Sequence, residues 1–293
     1  MPVNRIRLGT RGSALALVQA GMVRDALVHS YGVAVDIVVI KTTGDMVQDR
    51  PLAEIGGKAL WTKELDRALL THEIDCAVHS MKDVETIRPG DIAIAAILPR
   101  ADVRDRLIGA AAIADLPEGA TVGTSSPRRR AQLLRLRPDL EILPLRGNVE
   151  TRLAKLAAGE ADATLLAAAG LERLGRADLG VAIDIDIMLP APAQGAVGIE
   201  VRSDEKGTRA LLATLDHAPT HRQVMAERAL LAALHADCHS PVAALASDGG
   251  EIRAELFAED GSACVAGSGS DPQALARDLL ARAPDSIRRL FSG

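Results

Sequence analysis

TVGTSSPRRRAQLL, Thr121 to Leu134, followed by LRGNVETRLAKL, Leu145 to Leu156, decides how this chain is read. Each stretch is a short apolar run, a turn of small residues, and then a helical pattern whose first turns carry arginine. In the first, Ser126 stands at an N-cap position and Pro127 at the first helical position. Serine can accept a hydrogen bond from the open N–H groups of a helix start, and proline has no N–H to leave unpaired. Arg128, Arg129 and Arg130 follow at once. In the second stretch Asn148 is placed to cap, Arg146 precedes it, and Arg152 lies one turn in. Helix starts favour anions, and guanidinium forks grip carboxylates or phosphates at two points. Two such ends on neighbouring strands would form a floor for a ligand carrying several negative charges. The competing reading of any one arginine is a solvated surface charge paired with an acid. It is harder to sustain for two loops of one design.

Working outward, strands and helices alternate on both sides of these loops. Ile6 to Leu8 reads as a strand ending in GTRGS, with Ser13 capping a helix to about His29. Val33 to Lys41 is a β-branched run expected to be a strand buried on both faces. Thr42 to Trp61 holds Gly44, Pro51, Gly56 and Gly57 and is too long for a plain connection, so it reads as a lid or an excursion. A helix over Thr62 to Thr71, a buried strand over Asp75 to His79 and a strand over Ile92 to Leu98 complete a first block. Beyond Pro99-Arg100, strands are expected at Leu107-Ile108, Val122, Ile142 to Leu145 and Ala163 to Ala168. Helices are expected over Ser126 to Leu136 and Asn148 to Ala158. Strands alternating with helices mean parallel sheets, so two blocks mean two doubly wound domains. The strand in LPAPAQGAVGIEV, Leu189 to Val201, is expected to return to the first block. Two crossings imply a hinge, with a ligand cleft between lobes. Thr220 with Gln223 reads as a capping box for a helix to about Leu234. Three alternating segments follow, near 242–246, 252–258 and 263–267, and then a helix from Asp271-Pro272 to about Arg282. The expected architecture is α/β: two doubly wound, periplasmic-binding-protein-like domains with a cleft and hinge, plus a small α+β C-terminal domain. The expected boundaries are 1–98 with 198–216, 99–197, and 217–293.

Composition narrows the function. The 293 residues include only two Phe, one Trp and one Tyr, so the cores must be built from Ala, Val, Leu and Ile. That scarcity counts against single-stranded nucleic-acid binding, which relies on aromatic stacking. A net charge of −5 supplies no global field for a polyanion. The arginine cluster is therefore local, as suits a small acidic ligand. No apolar run reaches the length of a membrane span, and MPVNRIRLGTRGS has no signal-peptide pattern. Cys76, Cys238 and Cys264 are odd in number and lack C-x-x-C spacing, so neither a disulfide framework nor a metal site is expected. A reducing cytoplasm fits.

Two positions invite chemistry. Asp83 follows a buried strand, beside Lys82 and after His79-Ser80, and ligands of open parallel sheets bind beyond such strand ends. A carboxylate there can stabilise a cation or move a proton, or else is a surface turn residue. His79 reads as a packed strand residue. Cys238, in HADCHSPV, lies between a helix and a strand, and is either a structural thiol or an attachment point. Cys76 and Cys264 read as buried and inert. Two classes remain: an enzyme acting on a polycarboxylate, and a two-lobed cytoplasmic binding module for an acidic solute without catalysis.

LGTRGSALALVQA, GGKALWTKELDRALL, DCAVHSMKDV, VGTSSPRRRAQL, LRGNVETRLAKL, LLAAAGLERLG, APAQGAVGIEVR and the Cys238 segment, in that order, resemble the porphobilinogen deaminase (hydroxymethylbilane synthase) family nearly end to end. The resemblance implies a transferase of haem biosynthesis that condenses four porphobilinogen molecules head to tail, releasing ammonia, to give linear hydroxymethylbilane. It implies a dipyrromethane cofactor joined by a thioether to Cys238, and Asp83 as the catalytic group. It implies cofactor contacts from Lys82, Ser13, Thr124, Ser125, Ser126, Arg128, Arg129 and Arg146. Substrate contacts fall to Arg11, Arg146, Arg152, Arg173, Ser80 and Gln19. Thr42 to Trp61 corresponds to the family's mobile active-site loop, and Lys58 in it is a candidate substrate contact. A monomer without metal, nucleic acid or membrane is expected. The sequence departs from the family's pattern at Ala236-Asp237, where glycines usually precede the attachment cysteine, and at Pro241-Val242-Ala243, where Pro-Ile-Gly is usual. Trp61 replaces a common phenylalanine and Glu85 a common proline.

Overall fold

A computed structural model describes residues 3–42 and 62–291, which form two compact units: 1–101 with 196–221, and 102–195 with 222–293. The expected lid over Thr42 to Trp61 therefore lies, apart from Thr42, outside the described residues.

The first unit is built on β1 (Arg5–Arg11), α1 (Ala14–Tyr31), β2 (Ala34–Ile40), α2 (Lys63–Leu70), β3 (Cys76–Ser80), β4 (Ile92–Ile97), β10 (Val197–Arg202) and α6 (Lys206–Leu212). The sheet order is β2-β1-β3-β10-β4. β1 runs parallel to β2 and β3, while β10 is antiparallel to both its neighbours. The chain thus does return to the first block, as its Leu189 to Val201 stretch suggested. Ile6, Leu8, Val23, Leu27, Val78, Ile199 and Val201 make the core without any aromatic side chain. β2 departs from expectation. It is an edge strand whose residues are mostly half-buried, because a β-branched run reports fit to a pleated surface rather than burial on both faces.

The second unit has β5 (Asp105–Ile108), β6 (Thr121–Gly123), α3 (Pro127–Leu136), β7 (Glu141–Leu143), α4 (Val149–Ala157), β8 (Ala163–Ala167), α5 (Ala168–Arg173) and β9 (Val181–Ala182). Its sheet order, β7-β6-β8-β5-β9, repeats the first pattern of second, first and third strand, a reversed strand, then an edge. Here β5 is the reversed strand. Each reversed strand is thus the first to follow a crossing between the units: β5 on the way out and β10 on the way back.

The same unit contains α7 (Ala218–Ala233) from Arg222 onward, the antiparallel sheet β11 (Val242–Ala246), β12 (Ile252–Phe257) and β13 (Cys264–Gly269), and α8 (Pro272–Arg282). Leu230, Leu234, Leu256, Leu275 and Leu279 fill the core of this part. It joins the β5–β9 sheet through Ala131, Leu189, Ala243 and Phe257. At that seam Gly261 has φ +71°, and a Cβ there would meet the Ala131 carbonyl oxygen at 2.6 Å, so only glycine permits the approach. The Thr220–Gln223 capping box does not form. α7 begins two residues earlier, and the Thr220 hydroxyl is taken by the Arg100 N–H (3.1 Å) and the His217 ring (2.9 Å).

Glu227, wholly buried on α7, fixes the segment between α5 and β10. Its carboxylate accepts from the N–H of Ala193, at 2.5 Å, and of Ala246, at 2.8 Å. Glu227→Ala leaves two buried donors without that acceptor, and the expected loss is about 2 kcal/mol or more. Urea unfolding of the variant against the parent measures it.

Candidate active site

In the first unit the candidate residues gather where parallel strands end. Arg11 is the last residue of β1, and Ser13 caps α1 by accepting from the Ala16 N–H at 3.3 Å. Ser80 ends β3 and is hydrogen-bonded to the Gln19 amide at 2.8 Å, from the first turns of α1. A single 3-10 turn, Met81–Asp83, follows and carries Lys82 and Asp83. The turn is anchored through Met81, which is fully buried and whose N–H donates to the Ala196 carbonyl at 3.0 Å. Gly198 is what admits the Met81 side chain, since a Cβ there would lie 2.0 Å from its sulfur. Arg11, Ser13, Gln19, Ser80 and Asp83 together line one open depression of about 70 Å³. Lys82 shares the turn but is not part of that wall. His79, expected only to pack, contributes to the wall and sits 3.1 Å from the buried Glu200 carboxylate.

In the second unit both arginine loops form as read. α3 starts beyond β6 and α4 beyond β7, and those strands are parallel neighbours. Ser126 accepts from the Arg129 N–H at 3.4 Å, and Asn148 accepts from the Thr151 N–H at 2.9 Å. Ser125 donates to the Leu145 carbonyl at 3.2 Å, which stitches the two loops together, and within the first loop the Thr124 hydroxyl accepts from the Ser126 N–H at 3.2 Å.

Arg128 and Arg129 are not solvated; they are 3% and 5% exposed. Both grip Asp105, a fully buried residue at the start of β5, through separate carboxylate oxygens at 2.8 and 2.7 Å. Gln194 donates to the same carboxylate at 2.9 Å. Arg128 also donates to Gln132 and to the Leu189 carbonyl, and Arg129 to the Leu165 carbonyl. Burial opposes ionisation of Asp105, yet the two guanidinium groups hold its carboxyl well below the usual range. Asp105 is the one carboxylate that both guanidinium groups contact directly, while Glu255 acts on Arg128 from beyond hydrogen-bond range. The Nε atoms of Arg128 and Arg129 and the Nη1 atom of Arg146 are buried donors without partners among the described residues. Arg152 donates from Nε to the Gly147 carbonyl at 3.0 Å. Arg173, ending α5, donates to the Gly195 carbonyl at 2.6 Å, and burial pushes its pKa down.

Cys238 is exposed on the turn between α7 and β11 and forms no disulfide. The Asp237 carboxylate accepts from the His239 N–H at 2.8 Å, so the side chain that stands where glycine is usual closes the turn around the cysteine. Cys76 is buried, which pushes its thiol up. Cys264 is only half-buried, and burial with nearby Glu255 pushes its thiol up to about 11.

Sequence reasoning missed Asp105, Glu200 and Glu227. Glu200 lies in a largely apolar strand, and a lone acid in such a run is the signal that could have raised it; Asp105, beside Arg106 at the start of β5, carries no such signal.

The fold and these sites define an α/β protein with guanidinium and hydroxyl groups clustered at its strand ends. A family model described as "Porphobilinogen deaminase, dipyromethane cofactor binding domain" matches residues 6–210, and "Porphobilinogen deaminase, C-terminal domain" matches residues 221–280. "Porphobilinogen deaminase" of Sphingopyxis alaskensis is 58% identical, covering 99% of this chain and 98% of its own. The protein of the same name from Paracoccus denitrificans is 52% identical over 97% and 96%. "Porphobilinogen deaminase, chloroplastic" of Oryza sativa is 48% identical over 92% and 79%. A solved periplasmic substrate-binding protein from Coxiella burnetii is similar at 17% identity and TM-score 0.44, covering 73% of this chain and 93% of its own. The chain belongs to the porphobilinogen deaminase family. No helix among the described residues is long and apolar enough to cross a membrane.

The Asp105 contacts set a pH dependence. Its carboxyl has a depressed proton affinity in the fold, so its contribution is full above the unfolded value of about 3.9 and drains as pH falls below it. Asp105→Asn removes that contribution and leaves two buried guanidinium groups uncompensated, at an expected cost of about 3 to 5 kcal/mol at pH 7. Denaturant unfolding from pH 7 to pH 3 is expected to show the parent falling toward the variant at the acid end.

Proposed function

We propose that the chain is a transferase of tetrapyrrole biosynthesis that joins four porphobilinogen molecules head to tail, with release of ammonia, to give hydroxymethylbilane. The observation that carries this reading is the depression in which Arg11, Ser13, Gln19 and Ser80 surround the Asp83 carboxylate. The substrate's carboxylates call for guanidinium and hydroxyl donors, and its chemistry calls for a fixed anion.

Loss of ammonia from porphobilinogen leaves an electron-poor ring that is cationic when protonated. Asp83 stabilises that charge and can hold or return a proton at a pyrrole N–H. Arg11 and Arg173, with Arg146 and Arg152 from the second loop, bind acetate and propionate groups. Ser80 and Gln19 orient the substrate.

The residues present also suit a dipyrromethane. Cys238 offers an exposed thiol outside any disulfide, and Arg128, Arg129 and Arg146 offer buried donors without partners among the described residues. When bound, that group supplies the terminal pyrrole carbon to which the first substrate ring is joined. Cys238 would tether it through a thioether. Arg128, Arg129, Arg146, Lys82, Ser13, Thr124, Ser125 and Ser126 would hold its carboxylates. The chain works as three parts: 1–98 with 198–216 carrying Asp83, 99–197 carrying the arginine loops, and 217–293 carrying Cys238. It acts as a cytoplasmic monomer on a small molecule.

Intact-mass measurement and a porphobilinogen turnover assay test the reading. A covalent adduct of two pyrrole units is expected on the parent and is expected to be lost in Cys238→Ser. Asp83→Asn is expected to keep the adduct and lose about a hundredfold or more in kcat. A bare mass together with no turnover in the presence of porphobilinogen would leave a non-catalytic binding module instead.

The arginines are expected to separate in single-turnover assays. Arg146→Ala impairs an elongation step and leaves the melting temperature nearly unchanged, because the buried Nη1 of Arg146 has no partner among the described residues to lose. Arg128→Ala lowers stability as well, because it breaks the Asp105 pair.

A further inference from the structure

Arg88, between the Asp83 turn and β4, lies among three carboxylates, and its side chain is 9% exposed. Its Nε and Nη2 donate to the two oxygens of Glu200, at 2.8 and 2.9 Å. Nη2 also donates to Asp66 on α2, and Nη1 to Glu85. Burial raises the pKa of Asp66 despite Arg88, whereas His79 and Arg88 hold Glu200 down at about 2 against its burial.

Two arms of this cluster reach the wall that contains Asp83. Glu200, fully buried on β10, lies 3.1 Å from His79 Nε2. The other Glu85 oxygen accepts from the Thr62 hydroxyl at 2.6 Å. His79 and Thr62 both line the depression with Asp83. The turn bearing Asp83 is thus held before the carboxylate by Met81 and, two residues after it, by Glu85 and its pairing with Arg88. Glu85 is also the residue that replaces the family's common proline.

We propose that Arg88, acting with Glu85, is a positioning residue that fixes the Asp83 turn and the His79 and Thr62 walls around it. The inference rests on the reading of Asp83 as the catalytic carboxylate. Arg88 touches no reacting atom. It works by holding α2, β10 and the segment after the turn to one guanidinium, and β3 through Glu200 and His79, so that the Asp83 carboxylate meets substrate in a single geometry.

Charge supplies a readout that a purely structural role would not. The groups facing the Asp83 depression are Arg11 from β1 and His79 from β3, with Lys82 adjacent in sequence. Those facing Arg88 are Asp66 from α2, Glu85, and Glu200 from β10. Removing the guanidinium strips the counter-charge from Glu85 and Glu200, which touch Thr62 and His79 in the wall of the depression, so negative charge accumulates behind that wall. The acidic limb of the kcat profile then moves to higher pH.

The test uses holoenzyme whose adduct is confirmed by intact mass, with R88Q, R88K and E85Q compared to the parent and to D83N. For R88Q the expected result is a fall in kcat of about tenfold or more, with KM within about twofold and a raised acidic limb. R88K recovers part of the loss, since an ammonium keeps the charge but not the fork, and E85Q loses less than R88Q. Folded R88Q with parental kcat and an unmoved acidic limb overturns the inference, even where its melting temperature falls. Should R88Q not fold, R88K and E85Q with parental kcat and pH profile overturn it equally. A parent without turnover, or D83N as active as the parent, overturns the underlying reading and this inference with it. A parent whose turnover D83N abolishes, beside unaffected Arg88 and Glu85 variants, overturns this inference alone.

Discussion

Asp105 is the constraint on which the second unit depends. A carboxylate with no solvent contact is tolerable only if cations and N–H donors replace its hydration, and Arg128, Arg129 and Gln194 do so. The consequence runs both ways. Two long side chains that would otherwise sample many rotamers are held to one strand end, with their Nε atoms still unmatched among the described residues. A protein that must take up carboxylates cannot leave its guanidinium groups loose, because ordering them at the moment of binding would consume affinity. Nor can it neutralise them fully. One acid in direct contact with both arginines meets both demands.

The sheets explain why the candidate groups come together within each unit. Parallel strands place all their carboxyl ends on one side, so Arg11 and Ser80, and the two arginine loops, arise at adjacent ends with no special arrangement. The reversed strand in each sheet is where the polypeptide enters from the other unit, and each carries a buried acid: Asp105 on β5 and Glu200 on β10. Both acids are held by arginine from elsewhere in the same unit. The segment leading into β10 serves the same end, since the Leu189 and Gly195 carbonyls accept from Arg128 and Arg173 while Glu227 pins Ala193.

Much of this was legible in the sequence because its causes are local. Ser13, Ser126-Pro127, Asn148 and Asp271 cap their helices, and each had a nearby signal: a short acceptor before a periodic run. The return of the chain to the first sheet was legible from an apolar strand that had no partner in its own block. What was not legible depends on contacts distant in sequence. Thr220 looked like a cap because Gln223 follows it at the right spacing, and nothing nearby shows that Arg100 takes its hydroxyl. β2 looked buried because its residues suit any pleated surface. His79 looked like core packing, and its role depends on Glu200, which lies 121 positions further along the chain. Arg128 and Arg129 were seen as ligand groups, but the acid that seats them is 23 and 24 residues upstream, just outside the Leu107-Ile108 pair that read as a strand.

Two departures from the family's pattern carry the same physics. A glycine before the attachment cysteine gives freedom to a tight turn; Asp237 instead closes the turn with its own carboxylate. A proline after the catalytic aspartate stiffens the chain by narrowing the unfolded ensemble, an effect independent of charge. Glu85 stiffens the native state through Thr62 and Arg88. The substitutions are therefore not equivalent in kind, even where the backbone ends in one place. An entropic restraint persists at any pH and ionic strength. An ionic one depends on every partner remaining charged, and binds the turn to the same guanidinium that neutralises Glu200. In this chain the rigidity of the Asp83 turn and the charge balance of the unit's interior are one property.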